Sequence, residues 1–541
     1  MKRDLPTLAN TIFDLLVVGS GIYGATVAWD AAQRGLSVAL IDRGDFGGGT
    51  SANSAKTVHG GIRALQTGQL GELRSFVRER RALCRIAPHL VHRLPFVIPT
   101  YQGFTRHRLT MQAAFSLYDL LSRDRNTLPD TSKPLPPSQA ISRAECLELN
   151  PLIQPDGVNG GILWYDCQMY NADRVVLAFV QSAAGSGATV ANHIEVTGWL
   201  LDDNQISGVK VQDLDSANAF DIRAKLTINA TGPGSSALTS TLPTSLPTGS
   251  APYLSKAMNL VTRSITLKHA LGGLTDSRYL FALPWRGVSI IGTSHDGTNE
   301  LRQTTAPKEA DIEAFLKQIK RAFPGASLCM DDIQLVHAGL LPATDPSGKN
   351  LLRTSLIRDH RADGLQGLLS VVGVRYTTAR RTAEMVVDQV FSLLGHHPPP
   401  CRTAVTPLAG GDINVDFDHF LRTTLSDPSR LGASTLRRLA LSYGSRHQSV
   451  LRLMETDPTL TTPLSEASSI TRGEILYGIR QEMAIRLSDA VLRRTEAGSA
   501  GHPGKAALYA ASEIMAAELD WSVSHQAREI EEVEQSYYWS Y

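Results

Sequence analysis

The sequence predicts an α/β and α+β fold that ends in a helical C-terminal region. A strand–turn–helix–strand unit spans residues 13–42, strand-like runs recur through the middle of the chain, and strand texture stops near Thr406. Residues 13–18 are a short apolar run suited to a buried parallel strand. Lys2 and Arg3 ahead of this run give the outline of a signal peptide, but the run passes straight into glycines and reads as a strand. Residues 25–34 are helix formers, Gly35 stops them, and residues 37–41 form a second strand.

The pattern then turns helical and arginine-rich over residues 70–125. A Pro/Ser/Thr loop follows at 127–138, and another at 239–252. Strand-like runs occur at 208–211, 225–229 and 288–292. Beyond Thr406 helical segments such as 473–494 and 506–532 dominate. A domain boundary is therefore expected between residues 1–405 and residues 406–541.

The chain has 541 residues, enough for several domains, and 53 basic against 52 acidic side chains. That balance gives no global argument for nucleic acid. Five cysteines with no CxxC pair argue against a disulfide framework or a metal site and fit a reducing, cytoplasmic compartment. No apolar run reaches the ~18 residues of a membrane span, which leaves open a protein lying at the inner face of the cell membrane.

Gly19, Gly21 and Gly24 form a GxGxxG between strand and helix. The first glycine permits the tight turn, the second lets backbone approach a pyrophosphate, and the third lets helix and strand pack closely. The phosphates then face the positive helix N-terminus. Asp42 ends the second strand, placed to accept from a ribose hydroxyl. This pattern alone does not separate FAD from NAD. The next segment, residues 50–63, points to FAD. Thr50, Ser51, Ser54, Lys56, His59, Gly60 and Gly61 crowd hydroxyls, a lysine, a histidine and bare backbone together, suited to further phosphate and flavin contacts.

This segment reads TSANSAKTVHGGIR and is similar to the TSSASSKLIHGGLR of the FAD-dependent glycerol-3-phosphate dehydrogenases, within the D-amino-acid-oxidase-like flavoproteins. The likeness continues at 87–90, at 165–167 with 173–177, and at Asn229-Ala230-Thr231-Gly232-Pro233. It goes on at 284–285, at 290–293, at Arg358-Asp359, and at 370–380, where Gly373, Arg375 and Thr377 lie. The resemblance implies a Rossmann-like FAD-binding domain interleaved with an antiparallel-sheet substrate domain, plus a C-terminal helical domain. It implies oxidation of sn-glycerol 3-phosphate to dihydroxyacetone phosphate, with hydride passing to FAD. It assigns Thr231, Gly232, Gly373 and Thr377 to the cofactor and Arg63, Arg358 and Arg375 to a small anionic substrate. A quinone acceptor, contact with a membrane surface and a homodimer are left open by it.

Departures from the family pattern fall where substrate binds. Leu341 stands for the arginine of a GVRP segment, Asn259 for the histidine of KGSH, Ala64 for the tyrosine after HGGLR, and Arg375 for the lysine of GGKLTT. At about 1.5–3 kcal/mol per charge-assisted hydrogen bond, such losses weaken phosphate binding by orders of magnitude, so a different anionic alcohol or amine is a rival substrate. His59 is expected to tune the flavin, to tether it covalently, or to serve structure through hydrogen bonds, and His295 with Asp296 either to act as the catalytic base or to lie on the surface. The arginines at 74, 78, 80, 81, 85 and 93 read as a solvated helix face, with anionic lipid as the alternative. Glu529, Glu531, Glu532 and Glu534 read as a solvated tail.

Overall fold

The computed structural model describes residues 1–242, 252–276, 278–298, 307–428 and 431–538. Most of the loop expected at 239–252 therefore lies outside the described residues.

Two sheets share the chain in alternation. The first runs, edge to edge, through Leu356–Asp359, Leu368–Val372, Ala219–Asn229, Ile12–Val18, Val38–Ile41 and Thr189–Ala191, and the hairpin Ile194–Asp202/Gln205–Asp213 extends from Ala219–Asn229. Its central strands are parallel, with Leu15 opposite both Leu226 and Val38. These strands are buried on both faces and hence almost wholly apolar. The second sheet runs through Ile333–Ala343, Tyr253–Arg263, Val288–Thr298, Tyr279–Trp285, Ala270–Leu274, Val91–Tyr101, Val158–Met169 and Thr57–Val58. It is antiparallel except where Ala270–Leu274 meets Val91–Tyr101. The interleaved α/β and antiparallel architecture is thus the predicted one.

Ile22–Gln33 is the helix of the predicted βαβ unit. It is buried along nearly its whole length, between Ala172–Gly185 and Ala379–Leu393. Trp29 meets Phe179 edge-on at 5.5 Å, a contact that a truncation to alanine would replace by a cavity costing about 3–5 kcal/mol.

Four sequence expectations need correction. Residues 70–125 are not continuously helical: the strand Val91–Tyr101 separates Leu70–Ile86 from Arg108–Leu121, because it is sandwiched between Val158–Met169 and Ala270–Leu274. Residues 473–494 are not one helix, nor are 506–532, where Lys505–Leu519 ends at Asp520 (φ +54°) before Val523–Gln535 begins: Arg472–Glu482 stops at Met483 in the left-handed region (φ +60°), and a π-helical turn covers Asp489–Arg494. The break brings Arg493 and Arg494 onto Asp45. Nor is the acidic end all solvated, since Glu529 is buried and accepts from Arg486 and from the Leu487 amide. Among the described residues, no helix is long and apolar enough to cross a membrane.

Candidate active site

Five short segments converge beside the carboxyl ends of the central parallel strands, where open α/β sheets bind ligands. Gly19 has φ +99°, and a Cβ there would lie 2.7 Å from the Ala230 carbonyl oxygen. A Cβ on Gly24 would lie 1.8 Å from the Gly19 oxygen. Both are impossible distances, so the turn exists only with glycine. Gly21 caps Ile22–Gln33 without a side chain, which leaves bare backbone at the helix N-terminus. The Ile22 amide donates to Ser51 Oγ at 3.0 Å and so pulls the residue 50–63 loop onto that end. Asp42 accepts from the Ser20 amide (2.6 Å), the Ser20 hydroxyl (2.8 Å) and the Gly44 amide (2.9 Å). A carboxylate has about four acceptor positions, so one remains for a ribose hydroxyl.

The other segments are tied to this turn. Thr231 donates through its hydroxyl to Asn229 Oδ1 at 2.6 Å, which sets the bend that brings Ala230 and Thr231 beside Gly19 and Gly232 just after them. The Tyr23 hydroxyl accepts from the Val374 and Arg375 amides (3.2 and 3.1 Å) and donates to the Arg375 carbonyl (2.8 Å). A Cβ on Gly373 would lie 1.9 Å from the Tyr23 ring. Thr377 Oγ1 accepts from the His59 amide at 3.1 Å, and Thr50 Oγ1 donates to the Leu340 carbonyl at 3.3 Å. Ser54 Oγ accepts from the Lys56 amide at 3.2 Å.

Gly60 and Gly61 rest on a buried polar base. The Gly60 amide donates to Asp166 Oδ1 at 2.7 Å, and Arg80 bonds both Asp166 and the Tyr118 hydroxyl. Arg80 is 1% exposed, so it is neither solvated nor available to lipid. Arg74 and Arg81 share Asp124, which leaves Arg78 and Arg85 as the exposed cations of that helix. Lys56 is also turned inward: its ammonium donates to the Ala52 carbonyl and lies 5.4 Å from the Trp285 ring, and burial lowers its pKa against the pull of Asp173.

The substrate candidates separate. Arg63 is exposed and makes no hydrogen bond or ion pair among the described residues. Solvent reaches Arg63 and His59, yet the surrounding protein desolvates both and lowers both pKa values, the combination expected of a cleft wall. Arg375 reaches the same group but pairs with Glu72 and lies 4.9 Å from the Phe76 ring. Arg358 is not brought in: its Nε donates to Asp363 at 2.8 Å at the sheet edge. Ala64 is buried against Leu73, Val77 and Tyr118. Asn259 is buried, accepts from Thr293 Oγ1 at 2.8 Å, and lies opposite His337. His337 and Arg278 carry no signal in the sequence alone, although His337 lies two residues before Gly339 and Arg278 just before the strand that ends at Trp285. The Asp296 side chain lies outside the described residues.

A second charged cluster lies under the C-terminal helices. Asp45, His193 and Asp489 offer ligand atoms within 4.8 Å of one another, a spacing a cation could use. Arg493 and Arg494 already supply the positive charge, each 2.6 Å from Asp45 Oδ2. Burial pushes the Asp45 carboxyl up, but these two guanidiniums outweigh it and hold it below the usual carboxylate range.

Known proteins share this arrangement. The family model for FAD dependent oxidoreductases matches residues 14–389, and that for the C-terminal domain of alpha-glycerophosphate oxidase matches 401–526. The mitochondrial glycerol-3-phosphate dehydrogenase of Mesocricetus auratus is 31% identical over 98% of this chain and 74% of its own length. The chain belongs to the FAD-dependent glycerol-3-phosphate dehydrogenase family. Another relative is the glycerol-3-phosphate dehydrogenase of Synechocystis, 28% identical over 91% of this chain and 90% of its own. The solved glycerol-3-phosphate dehydrogenase of Bacillus halodurans, complexed with FAD, superposes with a TM-score of 0.76 at 25% identity, covering 98% of this chain and 95% of that one. Membership makes this chain an FAD-dependent oxidoreductase, and the glycine cradle fits that cofactor: backbone is left bare at the helix N-terminus where a diphosphate needs it.

Proposed function

We propose that this chain oxidises sn-glycerol 3-phosphate to dihydroxyacetone phosphate and passes the electrons to a quinone or another acceptor. The names of its relatives support the substrate, and the observation that carries the reading is Arg63, a cation on a cleft wall with no ion-pair partner among the described residues. A guanidinium left without a carboxylate suits a ligand that brings its own negative charge.

Gly19, Gly21, Gly24, Asp42, Thr50, Ser51 and Ser54 would hold the dinucleotide half of FAD, with Thr231 and Gly232. Lys56, His59, Gly60, Gly61, Gly373 and Thr377 would frame its ring system. When bound, the flavin supplies the hydride acceptor. Arg63 orients the anionic end of the substrate, and Arg375, held by Glu72 and Phe76, closes the cation group beside it. Burial lowers the His59 pKa below its usual 6.5, so its imidazole is uncharged at neutral pH and able to receive the hydroxyl proton.

The test is the absorbance of purified holoenzyme, followed anaerobically as glycerol 3-phosphate is added. Bleaching of the flavin bands supports the reading, and bands that stay yellow overturn it. A second reading, a different anionic alcohol or amine, is favoured by Leu341, Ala64 and Asn259 and would show as bleaching by that compound alone. Residence in the cytoplasm, with peripheral contact at the inner face of the cell membrane, and pairing of two chains complete the proposal. Arg78 and Arg85 are the cations of the arginine-rich helix still exposed for lipid contact.

A further inference from the structure

Two of the five cysteines meet at the base of the residue 50–63 loop. Cys84 lies in the last turn of the helix Leu70–Ile86, one turn beyond Arg80. Cys167 lies in the strand Val158–Met169, next to Asp166 and opposite Val58, the residue that leads into His59 and Gly60. Although 83 positions separate them in the chain, their Sγ atoms are 3.5 Å apart, at thiol-to-thiol hydrogen-bond distance. Both thiols are free. Cys167 is 1% exposed, whereas Cys84 keeps some contact with solvent.

The pair is polarised. A thiolate, not a thiol, is the nucleophile, and a neighbouring donor or cation favours it. Donation from the Cys167 thiol lowers the Cys84 pKa, against burial, and Arg80 and Lys133 add to the lowering while Asp130 opposes it. Lys133 is fixed in place by the Pro88 and Val91 carbonyls. The same thiol contact, with burial, pushes Cys167 up. One sulfur is therefore reachable and inclined to ionise, and the other stands protonated behind it. That is the arrangement of an attacking thiol and a resolving one.

We propose that Cys84 and Cys167 form a reversible redox-modification site, with hydrogen peroxide as oxidant and a dithiol as reductant. The Cys84 thiolate attacks one peroxide oxygen. An S–O bond forms, the O–O bond breaks, and the departing hydroxide takes a proton and leaves as water, which gives a sulfenic acid at Cys84. The Cys167 sulfur then attacks the Cys84 sulfur. The S–S bond forms, the S–O bond breaks, and the second hydroxide leaves as water with the Cys167 proton. Two thiols lose two electrons and one peroxide becomes two waters. A dithiol reverses the step by thiol–disulfide exchange. Closing the gap to the S–S bond length of about 2.0 Å draws the helix and the strand together. Those two elements carry Arg80 and Asp166, and Asp166 holds the Gly60 amide, so oxidation reaches the loop itself. The thiol chemistry does not depend on the substrate; its effect on the flavin rests on the placement of Gly60 proposed above.

The test titrates flavin-loaded, prereduced enzyme with hydrogen peroxide. Thiols counted after denaturation are expected to fall by two of the five, with the Cys84 and Cys167 peptides recovered as one disulfide-linked species and both thiols restored by dithiothreitol. Cys167→Ser should stop at the sulfenic acid, which dimedone labels at Cys84. Cys84→Ser should form no link and take no label at Cys167. The flavin bands should shift on oxidation and return on reduction in the wild type, and stay still in Cys84→Ser. A pair that only fills space would behave otherwise: Cys84 and Cys167 still present as thiols when the exposed Cys329 is already oxidised would overturn the site. If the link forms while the flavin bands do not respond, the placement of Gly60 against the flavin falls and the modification site stands.

Discussion

Arginine does opposite work in two parts of this molecule. Beneath the C-terminal helices the buried guanidiniums among the described residues have their carboxylates: Arg494 and Arg493 on Asp45, Arg174 on Glu482 at 2.6 and 2.8 Å, and Arg438 on Glu474. At the cleft, Arg63 has none among the described residues. A fold can keep charge inside at little net cost when the opposite charge comes with it. Where the partner is missing, the structure carries an electrostatic deficit that a ligand can fill. Pairing therefore separates the arginines that hold the chain together from those that hold something else.

Breaking a pair on the structural side should have the largest effect. Asp45→Ala strands two buried guanidiniums and is expected to cost about 3–5 kcal/mol in urea unfolding, with no selective change in KM. On the other side, Arg63→Ala should leave stability within about 0.5 kcal/mol while raising KM by about 10- to 100-fold, the equivalent of about 1.5–3 kcal/mol. Equal losses of stability in the two variants would erase the distinction. Gly373→Ala forces a methyl group into the Tyr23 ring, a strain of about 1–3 kcal/mol that should appear as lowered flavin content after purification.

At neutral pH the smallest effect concerns His89, an exception within the paired region, whose contribution shows only as the pH falls. It is 1% exposed, its Nδ1 has no partner, and burial first, then Arg174, Lys133 and Arg446, lower its pKa to about 3. The unfolded histidine titrates near 6.5 and the folded one near 3, so the unfolded state binds more protons between these values. Its contribution to stability is full above about pH 6.5 and declines as the pH falls toward 3, by at most about 1.4 kcal/mol per pH unit. His89→Gln should flatten that part of the curve, whatever it does to stability at pH 7.

What the sequence revealed was local or chemically specific. The βαβ unit was legible because its strand, glycine turn and helix lie within thirty or so residues of each other, as were the glycines whose neighbours leave no room for a Cβ. The inward turn of the arginine-rich helix is hidden from the sequence because the partner of Arg80, Asp166, lies 86 residues away, and nothing in the helix itself marks one arginine of five as internal. The break at Met483 was hidden for the same reason, being dictated by Asp45 at the far end of the chain. His337 carries no such signal because register between strands, not spacing along them, puts its side chain on the loop-facing side.

Tyr23 grips Arg375 across 352 positions, and Asp45 grips Arg494 across 449. During synthesis the dinucleotide turn therefore leaves the ribosome long before the segments that brace it exist. The nascent chain must carry an unfinished cradle until translation is nearly complete, and coenzyme loading becomes a late event, after release. Stalled chains that end near residue 370 should be unable to retain flavin even with the whole first crossover exposed.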